Sequence, residues 1–499
     1  MSPWVVLHAV FALPTLAALL AGTVVGIFIG ALPGIGPAVG IGLLLPLSYF
    51  LRPAEALLFY VSLYQAAEYG GSITAIAVST PGAPNSAATI LDGYALNRAG
   101  APGKAFGYSL WAAIFASYAG ILGMFLLAQP ASIVALALGS AEFAVLGVFA
   151  LTMVGTLSAS APLEGLLSGL FGLLLSTVGT DLITNAHRYT FDQPGLFDGV
   201  PLLPVLVGVF ALPQVVRLLS GPAPAPATGL GNRYRVWISR REFRAVLRPT
   251  VLGTVVGFVL GLLPGLSGSV PPWVSYNAAK SISRHPERFG TGTPEGIVAP
   301  EATNAAVMHS TLIPAFTLGV PGTPTSAVIL GAMMIAGLQP GPLLMRQHAD
   351  VVYELLTGLL ISTAALWIMG LLTTQIWART VSLPRHVLAA SIFVLCMVGA
   401  YTARSNVFDV WMTLLFGAVG YFMDALGYSI PSLILGLILG GVIETNARQA
   451  LIISHGSFGV FLSSPISASL LAASVLSILY ALRIRRREQG RPPISPGDA

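Results

Sequence analysis

The sequence predicts an all-α polytopic membrane protein made of two inverted-topology repeats, with helices broken at Pro-Gly-x-Pro loops. Three observations carry that expectation. Charged residues are 9% of the chain, against about 25% in soluble domains, while 55% are hydrophobic and the mean hydropathy is +0.82. A Pro-Gly signature occurs twice: residues 22–36 read GTVVGIFIGALPGIG and residues 253–267 read GTVVGFVLGLLPGLS. Nine of those fifteen positions are identical, including Gly22/Gly253, Gly26/Gly257, Gly30/Gly261, Pro33/Pro264 and Gly34/Gly265. A second pair follows in the same order. Pro81-Gly82-Ala83-Pro84-Asn85-Ser86 matches Pro321-Gly322-Thr323-Pro324-Thr325-Ser326 at an offset of 240.

The elements follow from apolar runs. The first half offers segments near 8–31, 35–51, 55–97 (broken at Pro81–Pro84), 105–128, 131–157, 163–182 and 199–219. The second offers 249–263, 267–282, 296–343 (broken at Pro321–Pro324), 350–376, 386–404, 407–424 and 428–443, with an extra helix near 459–482. Runs such as Phe106–Leu127 and Val351–Ile376 reach the roughly 20 residues that span a bilayer. Segments 35–51 and 267–282 are short enough to be re-entrant. The expected domains are a first repeat over 1–220, a basic cytoplasmic linker over 221–248, a second repeat with its extra helix over 249–482, and a cytoplasmic tail over 483–499.

Charge sets the expected orientation. Arg233, Arg235, Arg240, Arg241, Arg244 and Arg248 crowd the linker, and Arg483, Arg485, Arg486 and Arg487 end the last apolar run. The positive-inside rule puts both in the cytoplasm. Seven crossings then leave the N-terminus outside and make the repeats inverted, as in many secondary transporters. Arg98/Lys104, Lys280/Arg284/Arg288 and Arg379/Arg385 all fall inside. No charged residue precedes Arg52, so the basic start of a secretory signal is missing.

The chemistry is expected at the breaks. Proline removes a donor and clashes with the preceding turn, and glycine permits the turn. Non-helical backbone at membrane depth survives only where protein or a water-filled cavity satisfies it. A helix restarting after each break offers N–H groups and the positive end of its dipole, suited to an anion. The substrate-binding candidates are therefore Gly34, Pro81, Gly82, Pro84, Asn85 and Ser86 in the first half, with Gly265, Pro321, Gly322, Thr323, Pro324, Thr325 and Ser326 in the second. For one such motif a kinked helix without ligand is the ordinary reading; the duplication favours a site. Ionisable groups in apolar surroundings are costly and usually face a cavity. Glu68, Ser72, Asp92, Glu301 and Asn304 are accordingly candidates for a coupling ion, with structural hydrogen bonding as the plainer role.

Other classes are disfavoured. The seven histidines show no paired metal spacing, and only His309, ahead of the second break, suits a cavity. Cys396 is the sole cysteine, so no intramolecular disulfide or cysteine metal cluster is expected. The spacing around Gly34 and Gly36 does not fit a dinucleotide fingerprint, and Gly103-Lys104 lacks the rest of a phosphate-binding loop. No enzyme, no cofactor and no nucleic-acid partner is expected.

Gly30–Pro37 (GALPGIGP), Tyr69–Tyr94 (YGGSITAIAVSTPGAPNSAATILDGY), Pro294–Ala305 (PEGIVAPEATNA) and Leu312–Pro342 resemble the large membrane subunit of the tripartite tricarboxylate transporters, the TctA family. The resemblance covers nearly the whole chain. One departure is Gly322-Thr323-Pro324-Thr325, where a Ser/Ala-rich version is expected. The resemblance implies a multi-pass protein of the bacterial inner membrane working with a small membrane subunit (TctB-like) and a periplasmic solute-binding protein (TctC-like). It implies uptake of di- and tricarboxylates such as citrate, coupled to Na⁺ or H⁺. An ion channel with backbone-lined broken-helix sites is the alternative reading.

Overall fold

The computed structural model describes residues 3–32, 35–158, 162–181, 184–220, 235–263, 270–380 and 385–489. Helices account for most of them. In chain order they are α1 (Pro3–Phe11), α2 (Leu13–Gly30), α3 (Gly36–Leu44), α4 (Pro53–Val78), α5 (Thr89–Arg98), α6 (Pro102–Leu136), α7 (Ser140–Ser158), α8 (Pro162–Ser176), α9 (Leu202–Ser220) and α10 (Arg240–Gly261). There follow α11 (Val270–Ile282), α12 (Pro294–Leu318), α13 (Pro324–Ile335), α14 (Leu344–Gln347), α15 (Ala349–Thr380), α16 (Arg385–Arg404), α17 (Val407–Ala425), α18 (Ile430–Ile453), α19 (Val460–Ser463) and α20 (Pro465–Gln489). Seven of those described are long and apolar enough to cross a membrane: α2, α6, α9, α10, α15, α17 and α18.

Packing divides the chain into two compact units that do not follow the sequence halves. One is Met1–Leu136 with Pro201–Tyr421; the other is Ala137–Val200 with Phe422–Ala499. The first holds both broken helices. Every residue from Glu55 to Val78 of α4 and from Gly296 to Thr317 of α12 is buried. These two helices form the centre of that unit, and their polar residues make them less apolar than the seven.

The duplicated glycines explain how α4 and α12 are held. A Cβ added at Gly22, Gly26 or Gly30 of α2 would collide with the backbone of Phe59, Leu63 or Ala67 of α4. Added at Gly253, Gly257 or Gly261 of α10, it would meet Ala299, Thr303 or Val307 of α12. Each contact in the second set lies 240 residues beyond its counterpart on the buried helix. Small residues four apart let backbones approach closely, the usual device where lipid offers no hydrophobic drive between helices. In both pairs the contacts ascend together, so α2 runs parallel to α4 and α10 parallel to α12. The two buried helices run antiparallel: Ser72 meets Glu301, whereas the Tyr64 hydroxyl lies among Thr311, Thr323 and Thr325.

Three expectations need correction. The break foreseen between 105–128 and 131–157 falls later, at 137–139, because α6 continues through Pro130 to Leu136 before α7 begins at Ser140; membrane helices absorb a proline where neighbours satisfy the lost bond. The end of the expected linker is helical. Ser239 and Glu242 form a capping box, with Ser239 N–H donating to Glu242 Oε2 at 2.8 Å and Glu242 N–H donating to Ser239 Oγ at 3.2 Å, and this starts α10 at Arg240. The break glycines do not supply the turn. The left-handed residues are Ser79 (φ 56°) and Gly319 (φ 71°), again 240 apart, and they close α4 and α12. Neither Gly82 nor Gly322 is among the glycines with positive φ. Gly82 is needed for space, since a Cβ there would strike Gly30 O and lie 2.7 Å from Gly71 Cα.

Several basic loops gather on one face of this unit. Lys104 pairs with Glu242 at 2.8 Å, and the loop following Arg288 lies against α5, where Gly290 and Gly292 N–H reach Asp92.

The second unit contains α7, α8, α18 and α20, with α8 and α18 in close contact at Gly172 and Gly436. Its hairpin pairs β1 (Gly179–Thr180) with β2 (His187–Arg188) in antiparallel register, Gly179 opposite Arg188. Arg188 and Arg448 share Asp181 and Glu444 at 2.6–3.4 Å.

Candidate functional site

Helical spacing gathers the polar residues of α4 and α12. Gln65, Glu68 and Ser72 recur at one-turn intervals on α4, as Glu301 and Asn304 do on α12, so each set occupies one face; His309, five residues beyond Asn304, lies farther round α12. The packing turns these faces toward each other. The sequence candidates Glu68, Ser72, Asn85, Ser86, Glu301 and Asn304 are thereby brought together.

Glu301 is enclosed by hydroxyls. Its Oε1 accepts from Ser72 Oγ at 2.7 Å and from Thr89 Oγ1, and its Oε2 accepts from Ser109 Oγ at 2.7 Å. The three donors come from α4, α5 and α6, so one carboxylate ties four helices together. A buried carboxylate is tolerable when its lone pairs are met in this way. Ser86 Oγ lies 3.2 Å from Ser72 Oγ, which extends the chain of hydroxyls to the first break.

Glu68 is served differently. Its Oε1 accepts from Asn85 Nδ2 at 3.3 Å, the Asn304 amide faces the carboxyl group, and Oε2 has no hydrogen-bond partner within the protein. Glu68 and Glu301 are not repeat equivalents. At an offset of 240, Glu301 falls on Val61 and Glu68 on Met308. The cluster is therefore asymmetric although the scaffold is duplicated.

The first break lies against this cluster. Gly82 N–H donates to Gly71 O at 3.2 Å, and a Cβ at Gly71 would lie 2.8 Å from Ala83 N and 3.0 Å from Ser86 Oγ. Pro81 and Pro84 flank this contact. Pro84–Ser86 forms a single 3₁₀ turn, so the next helix begins at Thr89 rather than at Asn85. Asn97 Nδ2 donates to Ile76 O at 2.9 Å, meeting a carbonyl at the end of α4.

At the second break, Val320 N–H bonds back to Pro314 O at 3.2 Å and Gly319 N–H to Ala315 O at 3.1 Å, a left-handed helix closure. Pro321 and Gly322 follow, and α13 restarts at Pro324 behind the Thr323 cap. Thr323 N–H donates to Ser326 Oγ at 2.9 Å and Ser326 N–H to Thr323 Oγ1 at 3.0 Å. Pro324 has no N–H, so Thr325 carries the first-turn N–H outside this box. Tyr64 of α4 reaches Thr323 Oγ1 at 3.3 Å, which joins the second break to the first buried helix.

Asp92 sits apart. It accepts from Tyr276 Oη at 2.8 Å and from the N–H groups of Gly290, Gly292 and Thr293 at 2.8–3.1 Å, fastening the loop before α12. Gly34 and Gly265 lie outside the described residues.

Sequence reasoning left Gln65, Thr89, Ser109 and Tyr64 out of the site. Gln65 had a usable signal, one helical turn before Glu68 on the same face. Ser109 had none, being one of several hydroxyls scattered along an apolar helix.

The Tripartite tricarboxylate transporter TctA family model matches residues 16–435. An "Uncharacterized 52.8 kDa protein in TAR-I ttuC' 3'region" of Agrobacterium vitis is 35% identical over 461 residues, covering 92% of each chain. A second Agrobacterium vitis relative, an "Uncharacterized protein in TAR-II ttuC' 3'region", is 33% identical over 220 residues, which is 44% of this chain and 91% of the relative. No solved structure matches. The chain belongs to the Tripartite tricarboxylate transporter TctA family.

Proposed function

We propose that this chain is the transmembrane permease of a secondary active importer for di- and tricarboxylates. A periplasmic solute-binding protein would deliver the substrate, a small membrane subunit would complete the complex, and a Na⁺ or H⁺ gradient would drive it across the bacterial inner membrane. The observation that carries the reading is the buried polar cluster joining two broken helices, one from each half of the chain. Glu301 meets hydroxyls from three other helices and Glu68 approaches the first break through Asn85. Buried carboxylates beside interrupted backbone are costly in a purely structural bundle and useful in a transporter.

The antiparallel course of α4 and α12 supports inverted repeats, and the basic loops gathered on one face support a common cytoplasmic side for them. Arg483, Arg485, Arg486 and Arg487 by themselves support a cytoplasmic C-terminus. Substrate carboxylates would bind beside the breaks, using Thr325 N–H and the hydroxyl and amide groups of Asn85, Ser86 and Thr323. The test is uptake of labelled di- and tricarboxylates into vesicles holding all three subunits, with and without Na⁺. Saturable uptake that needs the binding protein and a cation gradient is expected. Conductance without saturation or binding-protein dependence would reject the permease in favour of a channel.

A further inference from the structure

Four buried acceptors without protein partners belong to residues that line one small cavity. They are Gln65 Oε1, Glu68 Oε2, Asn304 Oδ1 and His309 Nε2, on side chains 4%, 4%, 3% and 0% exposed. The cavity offers about 10 Å³ to the centre of a water-sized sphere, room for about one water or one bare ion.

The hydrogen-bond network fixes two of the four as acceptors. Thr363 Oγ1 spends its only proton on Leu359 O at 2.8 Å, so at 2.7 Å it accepts from Gln65 Nε2. That settles the amide orientation and directs Gln65 Oε1 away from Thr363. His309 Nδ1 lies 2.7 Å from Ala305 O. A carbonyl only accepts, so Nδ1 carries the hydrogen and Nε2 of the neutral ring presents a lone pair. Asn304 Oδ1 is buried without a partner, and an amide oxygen only accepts.

One water donates two hydrogens and a proton on Glu68 donates one, so either leaves acceptors unmet. A cation in the cavity would draw on these lone pairs together and offset the Glu68 charge, which is otherwise expensive to bury, beside Glu301, whose carboxylate also lines the cavity but is met by three hydroxyls. Three oxygens of carboxylate and amide type favour a hard ion. Among the described residues no group of three or more His, Cys, Asp or Glu side chains could hold a metal, which disfavours a transition metal. We propose that this cavity is a binding site for one sodium-sized monovalent cation, held by Gln65, Glu68, Asn304 and His309. The proposal rests on the transport reading for its role as the coupling ion, but the site itself can be tested without transport.

The experiment is equilibrium binding of ²²Na⁺ to the purified full chain, without substrate or partner subunits, against a choline background. Saturable binding of about one ion per chain is expected for the native protein and for Glu287→Gln, an exposed loop control. Glu68→Gln should abolish it. Gln65→Leu and Asn304→Leu should each weaken it roughly ten- to hundredfold, the range for one lost contact to a charged group. Monodispersity and helical content of each variant verify that the fold persists, and the milder Gln65→Leu keeps the test decisive if Glu68→Gln does not fold. Absence of saturable binding in the native chain, or unchanged binding in the folded variants, overturns the site. A native chain whose stability follows pH but ignores Na⁺ also overturns it, in favour of a proton. Sodium binding that persists in a complex unable to transport carboxylates keeps the site and rejects only the transport role.

Discussion

Ser72 and Glu301 are 229 residues apart in the chain and 2.7 Å apart in the fold, where Ser72 Oγ donates to Glu301 Oε1. With Thr89 and Ser109 as further donors, this bond makes Glu301 the fastening of four helices. Removing one donor leaves a buried carboxylate lone pair unmet. Ser72→Ala, Thr89→Val and Ser109→Ala should each destabilise the protein by about 1.5–3 kcal/mol, the usual worth of a hydrogen bond to a charged group. Thermal unfolding of the purified variants measures this, and native-like melting of all three would show that Glu301 does not hold the helices.

The glycine contacts should tolerate no added methyl group. Gly22→Ala, Gly30→Ala and Gly257→Ala would each drive a Cβ into the backbone of α4 or α12. Overpacking costs about 1–3 kcal/mol when side chains can yield, and backbone yields less. The yield of monodisperse protein should fall for all three. Gly441, whose added Cβ would meet nothing within 4 Å, should accept alanine; equal yields at all four positions would contradict the packing described.

Asp92 should act on stability alone. Asn in its place keeps one acceptor oxygen and turns an NH₂ group toward the Gly290, Gly292 and Thr293 donors. Loss of at least about 1.5–3 kcal/mol is expected for Asp92→Asn, with the ion dependence of uptake in surviving protein unaltered. A shifted Na⁺ or pH dependence without loss of stability would return Asp92 to the coupling machinery.

Substrate affinity should respond to the break residues in two ways. Asn85→Ala and Ser86→Ala should raise the concentration for half-maximal uptake roughly ten- to hundredfold if each loses a bond to a carboxylate. Ser326→Ala should act mainly through the α13 cap, costing about 1 kcal/mol of stability, because its hydroxyl is engaged with Thr323. Concentration curves for initial uptake separate the two, and unchanged half-saturation in Asn85→Ala and Ser86→Ala would move the site elsewhere.

Orientation can be read by labelling. Cys396 is buried, so background labelling should be low. A cysteine at Trp4, which is exposed, should react from the periplasm, and one at Arg241 only after permeabilisation. Reaction of both from one side would reject the inverted arrangement.

Much of this protein was legible in the sequence for a local reason. Hydropathy and charge scarcity report the solvent, and proline and glycine report where a helix cannot continue, so the membrane class, the duplication and both breaks could be read without coordinates. Helical spacing also placed Glu301 and Asn304 on one face. What the tertiary structure decided was which groups meet. Ser109 and Thr363 lie in apolar helices remote from the motifs, yet one satisfies Glu301 and the other accepts from the Gln65 amide. The role of Gly82 changed from turn to close contact for the same reason, since the space it needs is set by Gly30 and Gly71 on neighbouring helices. Sequence spacing encodes the face of a helix; only packing chooses the partner of that face.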